Sequence, residues 1–163
     1  MNLRIATDAD VDGLVRLINA AYEVEQFFVA GDRTDGSDLR ARLQWGRFLI
    51  LESEPGVLVG CVFVSVDGTS GFMGMLSVSP GSQGRGLGRA LAVAAEEYCR
   101  SHGCTEIEIE VVNLRTELPP FYRKLGYRES GERPFPDTAR TSRVCHFVVM
   151  RKMLVRTAAD GAA

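Results

Sequence analysis

Residues 78–91 join an apolar strand, a glycine-dense turn and a helix without interruption. They read Val-Ser-Pro-Gly-Ser-Gln-Gly-Arg-Gly-Leu-Gly-Arg-Ala-Leu. Glycines let the backbone turn tightly and come close to a ligand. The first turn of the helix adds unpaired N–H groups and the positive end of the helix dipole. This segment therefore predicts a binding site for an anion such as a pyrophosphate.

Two better-known phosphate-binding loops do not fit this segment. A dinucleotide loop needs the pattern G-x-G-x-x-G. If the pattern starts at Gly86, the third glycine is replaced by Leu91. If it starts at Gly84, the third glycine is replaced by Arg89. A Walker loop ends in Gly-Lys, a pair that the chain lacks. The remaining pattern is Q-x-x-G-x-G over residues 83–88, directly after an apolar strand.

The composition is that of one globular domain. The chain has 163 residues, of which 45% are hydrophobic and 25% charged, and its net charge is −2. A chain of this length can bury a hydrophobic core without the help of disulfide bonds or a metal. The net charge gives no reason to expect nucleic acid as a partner. Acidic residues follow soon after Met1, and no apolar run approaches the about 18 residues of a membrane span. A cytoplasmic protein is expected, with its domain over 1–154 and a flexible tail over 155–163.

The cysteine pattern argues against disulfides and metals. Cys61, Cys99, Cys104 and Cys145 form no C-x-x-C pair and lie in apolar or helical surroundings, as reduced buried thiols do. Cys99, His102 and Cys104 are close in sequence, but they straddle the end of a predicted helix and no fourth ligand is evident. The sequence therefore predicts no metal site.

Hydrophobic periodicity predicts the element order β-α-α-β-β-β-α-β-α-β-β. Strands are expected near residues 3–5, 47–53, 57–66, 72–78, 105–112, from 127 and over 144–150. Turn residues between the second, third and fourth strands favour antiparallel hairpins. The helix that follows the glycine turn is expected to end near Gly103 and to connect two parallel strands.

Local signals place the helix ends. Thr7 and Asp10 have the spacing of a capping box before the first helix, and Ser37 is expected to cap a second helix that runs to about Trp45. The apolar and acidic segment over residues 22–35 has no periodicity, which is typical of a functional loop.

A second motif follows Pro119 and Pro120, which can open a helix but cannot lie in its interior. From Phe121 to Tyr127 the chain reads Phe-Tyr-Arg-Lys-Leu-Gly-Tyr. The pattern is an aromatic residue and a tyrosine, three further residues, then glycine and an aromatic residue. The glycine is expected to close a short helix.

The two motifs together resemble the two signatures of the GNAT N-acetyltransferases, in the same order along the chain. The first resembles the acetyl-coenzyme A signature, and the second resembles the signature that carries a catalytic tyrosine. The resemblance covers most of the chain. It implies a single α/β (α+β) domain: a mixed, mostly antiparallel central sheet flanked by helices, with a parallel strand–helix–strand unit that binds acetyl-CoA.

The resemblance also implies a role for individual residues. Acetyl-CoA is the expected co-substrate, and Tyr122 is expected to protonate the departing thiolate, since a tyrosine with a pKa of about 10 is protonated at neutral pH. Residues expected to contact the cofactor are Leu76, Ser77, Val78, Gln83, Gly84, Arg85, Gly86, Leu87, Gly88, Arg89 and Asn113. The strand before the turn is expected to splay from its neighbour and to offer free backbone groups. Asn113 stands further from Tyr122 than the family pattern has it.

The sequence does not name the base that deprotonates the attacking amine. The residues that approach the glycine turn, Phe-Met-Gly-Met over 72–75, include no carboxylate. Candidates elsewhere are Glu108 and Glu110 on a strand, Glu23 and Glu25 in the irregular loop, and His146 on the last strand.

The resulting hypothesis is an acetyl-CoA-dependent N-acetyltransferase that transfers the acetyl group directly to a primary amine in a ternary complex. The alternative is a catalytically silent module of the same fold that binds or senses acyl-CoA. The acceptor is expected to be a small molecule rather than a protein, with neither nucleic acid nor membrane as a partner, and a homodimer is compatible with the chain. The loops over residues 22–35 and 133–143 are expected to select the acceptor, for which no transferable sequence code exists.

Overall fold

The structure is a computed structural model that describes residues 1–155. Within that range the chain forms seven strands and four α-helices in the predicted order. The strands are β1 (Asn2–Ile5), β2 (Arg47–Glu54), β3 (Val57–Asp67), β4 (Ser70–Val78), β5 (Glu106–Val112), β6 (Arg128–Pro134) and β7 (His146–Met153). The helices are α1 (Val11–Tyr22), α2 (Gly36–Arg42), α3 (Leu87–Ser101) and α4 (Leu118–Lys124).

All strands belong to one sheet, in the order β1-β2-β3-β4-β5-β7-β6. Neighbouring strands are antiparallel except β4 and β5, which are parallel and joined through α3. The predicted mixed α/β fold, with one parallel strand–helix–strand unit in a mostly antiparallel sheet, is therefore confirmed. This topology matters for function because the parallel pair is where the sheet opens.

Two apolar cores lie on opposite faces of the sheet, since side chains alternate between the faces of a strand. On one face Leu91 of α3 packs with Ile107 of β5. On the other face Leu14 of α1 packs with Phe48 and Phe63 of β2 and β3. The strands are thus fixed from both sides, and the sheet is a rigid frame for the groups at its open end.

Two helix starts are set by side chains that accept backbone N–H groups. Thr7 and Asp10 form the predicted capping box, in which the Thr7 N–H donates to the Asp10 carboxylate (2.7 Å). The second helix was placed wrongly: Asp35, not Ser37, is its N-cap, because the Asp35 carboxylate accepts from the Asp38 N–H (2.8 Å). This helix also ends at Arg42, short of Trp45.

The last strand was also misplaced, because it runs from His146 to Met153 rather than over residues 144–150. Val144 is almost completely exposed, while Met153 still pairs with Glu106 of β5. Beyond the strand, the Val155 carbonyl accepts a hydrogen bond from Arg100 Nε (2.8 Å). The remainder of the predicted tail, residues 156–163, lies outside the described residues.

Candidate active site

The sheet opens between β4 and β5 just before the glycine turn. The two strands pair only from Ser70 to Phe72 on β4 and from Glu106 to Glu108 on β5. Both strands continue beyond that point, so their later residues separate. The splay predicted for the strand over residues 75–78 is present, and it leaves a cleft in the middle of the sheet.

A β-bulge in β4 accompanies the splay. Met75 has a φ of 51°, which an L-residue other than glycine rarely adopts. The bulge places two residues of β4 opposite Val62, because Gly74 pairs with Phe63 and Ser77 with Cys61. The buried Ser77 hydroxyl donates to the Met75 carbonyl (2.9 Å). The Ser77 side chain therefore supports the bulge.

The glycine turn forms an open, concave stretch of backbone. Gly84 and Gly86 have φ values of 77° and 76°, in the left-handed region that favours glycine. A Cβ built at either position would have no protein atom within 4 Å, so the space in front of both residues is free for a ligand. The Gln83 side chain donates to the Val78 carbonyl (3.4 Å), which ties the turn to the end of β4.

Helix α3 begins at this turn with Gly86 as its N-cap, and no side chain caps its first N–H groups. The first turn carries no acidic residue, whereas Arg85 and Arg89 are exposed beside it. The Leu87 side chain is buried in the core, so this residue offers only its backbone to a ligand. Unpaired N–H groups and two cations together form a site suited to a pyrophosphate.

Gly88 lies where α3 approaches α4. A Cβ at this position would meet the Phe121 ring at 3.6 Å and Val78 at 4.0 Å, which is ordinary van der Waals contact. Leu76 and Val78 are partly buried against the same core, and Leu76 also lines the cleft. The two sequence motifs, far apart along the chain, are therefore in contact beside the cleft.

Tyr122 of α4 points into the cleft and is 7% exposed. Its ring packs edge-on against Phe121 and Tyr127, with centroids 5.0 and 5.6 Å away. Burial raises the pKa of Tyr122 well above its usual range, and nearby Tyr22 raises it further. The hydroxyl is therefore protonated at neutral pH, as a proton donor requires.

The cleft has a volume of about 430 Å³, which is in the range of small-molecule sites. Aromatic side chains form much of its wall, among them Tyr22, Trp45, Phe72, Phe135 and Phe147. The two irregular loops close its rim together: Ala30 N–H donates to the Arg140 carbonyl and Ser142 N–H to the Phe28 carbonyl, both at 2.9 Å. The loops expected to select the acceptor thus form one hydrogen-bonded unit.

Glu25 is the buried carboxylate of this cleft, 8% exposed, in a 3₁₀ turn that follows α1. Burial raises its pKa above the usual range, although Arg115 acts in the opposite direction. The Arg115 guanidinium donates to Glu25 (2.8 Å) and also to Glu117 (2.5 Å). A desolvated carboxylate with a raised pKa is the type of group that accepts protons in catalysis.

The other four candidates for the base are less well placed. Arg133 bonds both Glu108 and Glu110 on β5, although Glu110 does line the cleft. Arg151 also donates to Glu108 (2.9 Å). Partial burial raises the pKa of Glu108, but Arg133 and Arg151 together hold it below its usual range. Glu23 is exposed, and His146 lies 3.5 Å from the Glu132 carboxylate.

Asn113 connects β5 to β7. Its side-chain oxygen accepts from the His146 N–H (2.9 Å), and its own N–H donates to the His146 carbonyl (3.0 Å). The structure thus uses its backbone and its side-chain oxygen to align two strands. A contact of Asn113 with acetyl-CoA stays a prediction, as do those of the other residues named from the motif.

Sequence reasoning missed Arg115 and Arg33 as members of this cleft. Arg115 lies beside the second motif but has no special spacing, and its partner Glu25 is 90 positions away in the chain. Arg33 stands in the irregular loop. No local pattern pointed to either residue, because both reach the cleft only through tertiary structure.

Residues 1–155 contain neither a metal-binding cluster nor a membrane-spanning helix. No group of three or more His, Cys, Asp or Glu side chains there is arranged to hold a metal ion. No described helix has the length and apolar character needed to cross a membrane. The four cysteines are free thiols, and burial raises the pKa of Cys61 and of Cys99 to about 12.

Comparison with known families decides the assignment. Residues 14–127 match the model of the acetyltransferase (GNAT) family. The chain belongs to the GNAT family. It is accordingly an acyltransferase that uses acetyl-CoA, and the predicted family, enzyme class and co-substrate are confirmed.

Individual relatives agree with this assignment. A mycothiol acetyltransferase of Beutenbergia cavernae is 32% identical over 81 residues, which cover 49% of this chain but 27% of that protein. The match thus spans about a quarter of the relative's length. A Salmonella typhimurium protein assigned as an acetyltransferase and solved with its cofactor acetyl-CoA has a TM-score of 0.72 and 24% identity, over 100% of this chain and 99% of its own.

A second solved structure shares the fold. The ribosomal-protein-S18-alanine N-acetyltransferase of Escherichia coli has a TM-score of 0.71 and 19% identity, and the match covers 96% of each chain. At such identity the likeness concerns the fold alone.

The residues present fit acetyl-CoA. The open backbone at Gly84 and Gly86 and the uncapped N-terminus of α3 suit the pyrophosphate. The splay of β4 from β5 gives a route from that turn to Tyr122. These are features of this chain's own backbone, independent of the family match.

Proposed function

We propose that this GNAT enzyme acetylates the primary amine of a small molecule by direct transfer, with Glu25 and Tyr122 as its proton-transfer groups. The observation that carries the proposal is that both side chains line one cleft, which begins where β4 and β5 separate. The cofactor supplies an acetyl group activated as a thioester, which exchanges its carbon–sulfur bond for a carbon–nitrogen bond.

Glu25 is the favoured base because it is buried in the cleft and its pKa is raised. An acceptor amine enters largely as an ammonium ion and must lose a proton to become nucleophilic. The Glu25 carboxylate binds that ammonium ion and takes the proton. Arg115 donates to that carboxylate (2.8 Å) and favours its ionised form, which opposes the effect of burial on its pKa.

Tyr122 is the favoured acid. Its hydroxyl is held in the cleft by the packing of its ring against Phe121 and Tyr127. It donates its proton to the sulfur as the thiolate leaves. The nitrogen loses two protons as an ammonium ion becomes an amide. Glu25 takes the first before the attack, and the second passes through solvent to the Tyr122 phenolate, which has given its own proton to the sulfur. Glu25 then releases its proton to solvent, so the net reaction yields the amide, the free thiol and one proton.

Direct transfer is supported by the residues that line the cleft. Within residues 1–155 no cysteine, serine or lysine side chain lines it. Cys61 of β3 is fully buried, and burial raises its pKa to about 12, so it is not a thiolate nucleophile. A covalent acetyl-enzyme therefore has no evident acceptor residue.

The proposal is tested by measuring thiol release from acetyl-CoA across a panel of small primary amines. The expected result is amine-dependent release with equimolar N-acetyl product, measured by mass spectrometry, and no acetylated protein after quenching. Binding of acetyl-CoA without release for any amine would instead support a silent acyl-CoA-binding module. A stoichiometric acetylated protein intermediate would refute direct transfer.

A further inference from the structure

Resting on the proposed function, we infer that the acceptor amine also carries an oxyanion, a carboxylate or a phosphate, and that Arg33 binds this group. Four arginines line the cleft, namely Arg33, Arg42, Arg115 and Arg140. Three of them have a carboxylate partner, and one does not.

The three paired arginines are accounted for by the protein itself. Arg42 lies 3.2 Å from Asp38, Arg115 lies 2.8 Å from Glu25, and Arg140 lies 3.3 Å from Asp137. Arg33 forms no ion pair with any carboxylate of residues 1–155. A guanidinium that lines a cleft and forms no ion pair there is a group available to a ligand.

Arg33 is held on a fixed piece of backbone. The next residue, Thr34, is buried and bonded twice to Asn19 of α1: its N–H donates to the Asn19 side chain and its carbonyl accepts from it, both at 3.0 Å. The preceding residue, Asp32, has its carbonyl bonded to Arg140 Nη2 (2.6 Å). Both neighbours are therefore anchored, which positions the side chain between them.

The guanidinium itself is oriented by Tyr22. Its central carbon lies 5.2 Å from the centre of the Tyr22 ring, in a cation–π contact. The flat fork of an arginine stacked in this way presents paired N–H donors at its edge, which match a carboxylate or a phosphate. Arg33 and Tyr22 both line the cleft, so the guanidinium borders the space proposed for the acceptor.

The position of Arg33 relative to Glu25 suggests how one ligand would engage both. Arg33 is close enough for its charge to act on Glu25. It lowers the pKa of Glu25, although the opposite effect of burial is larger. An ammonium ion at Glu25 and an oxyanion at Arg33 are the two charges of an amino acid or an aminoalkyl phosphate. The aromatic wall, with Trp45 and Phe72, is available to the apolar body of such a molecule.

The test uses matched pairs of amines with the full-length enzyme. The common amino acids are each compared with their α-amides, and aminoalkyl phosphates with the corresponding aminoalcohols. For at least one pair, the anionic member should have a kcat/KM about 10- to 100-fold higher, the size expected for a charge-assisted hydrogen bond. The arm in which this occurs identifies the oxyanion as carboxylate or phosphate.

Arg33→Gln should bring that ratio close to one. Arg40→Gln is the control, since Arg40 is an exposed residue of α2 outside the cleft, and it should keep the wild-type ratio.

Calorimetry with the same pairs and CoA-loaded protein measures binding without turnover. A preference in binding that Arg33→Gln removes, with no acetyl transfer, would uphold the inference and refute the proposed function. The inference is overturned if neither binding nor turnover favours the anionic members. It is also overturned if the preference survives Arg33→Gln.

Discussion

The Glu25 carboxylate lies 2.8 Å from Arg115 Nη1, although 90 positions separate the two residues in the chain. The pair joins the turn after α1 to the segment just before α4, across the open end of the sheet. Both side chains are nearly buried, with 11% and 13% of their surface exposed. A buried pair of this kind fixes the position of the carboxylate and sets its proton affinity.

Replacing Glu25 with Gln should remove the base while preserving its size. We expect kcat to fall by about 10²- to 10⁴-fold, the usual contribution of general acid–base catalysis. Because a base acts in its deprotonated form, wild-type kcat/KM should rise with pH through the pKa of Glu25, which lies above the ordinary value of 4.5. The variant should lack this acidic limb. A limb that persists in Glu25→Gln would assign it to another group.

Replacing Arg115 with Gln should move the acidic limb rather than abolish it. Arg115 lowers the pKa of Glu25, so its loss should raise that pKa and shift the limb to higher pH. Arg133→Gln is the control, because Arg133 contacts Glu108 and Glu110 instead. A shift caused by the Arg133 variant alone would identify one of those strand carboxylates as the base. Circular dichroism checks that each variant is folded.

Replacing Gly86 with Val should weaken the binding of acetyl-CoA. The new side chain would occupy the open space in front of the turn and would also resist a φ of 76°. Gly56→Val is a matched control. Gly56 has a φ of 82°, and a Cβ built there would have no protein atom within 4 Å. It lies in the β2–β3 turn, away from the glycine turn. Both variants carry a similar backbone strain of about 1–2 kcal/mol. Calorimetric titration should show a Kd increase of at least about tenfold for Gly86→Val only.

Replacing Tyr127 with Phe should affect stability. The buried Tyr127 hydroxyl donates to Glu96 (3.0 Å), which also accepts from Lys152 Nζ (2.9 Å). Loss of the hydroxyl leaves the buried carboxylate one donor short, at a cost of about 1–3 kcal/mol. Thermal unfolding should show a Tm lowered by about 2–4 °C per kcal/mol. Tyr98→Phe on α3 should leave Tm unchanged, because the Tyr98 hydroxyl forms no hydrogen bond within residues 1–155. An equal effect of both variants would contradict this account.

Most of the fold could be predicted from the sequence because its signals are local. Strand alternation, turn residues and two glycine-containing motifs gave the element order, the parallel unit and the position of the glycine turn. The helix boundary at Asp35 was missed because a serine two residues later is an equally good cap by residue type alone.

The acceptor side of the cleft could not be predicted in this way. The bulge at Met75 is set by pairing with β3, and methionine has no preference for a positive φ that would reveal it. Glu25 was one of five candidates until the fold showed which of them is buried in the cleft. That Arg33 forms no ion pair within residues 1–155 is visible only when the partners of the other arginines are known.

Tyr122→Phe is the most direct test of the acid. The change removes one hydroxyl and keeps the ring that packs against Phe121 and Tyr127, so stability and acetyl-CoA affinity should be preserved. We expect kcat to fall by about 10²- to 10⁴-fold, equivalent to ~3–5 kcal/mol in the barrier, with the acceptor KM little changed. Tyr98→Phe again serves as the control, because Tyr98 does not line the cleft. Thiol release by Tyr122→Phe within a few-fold of wild type would show that Tyr122 is only part of the cleft wall and that water protonates the leaving thiolate.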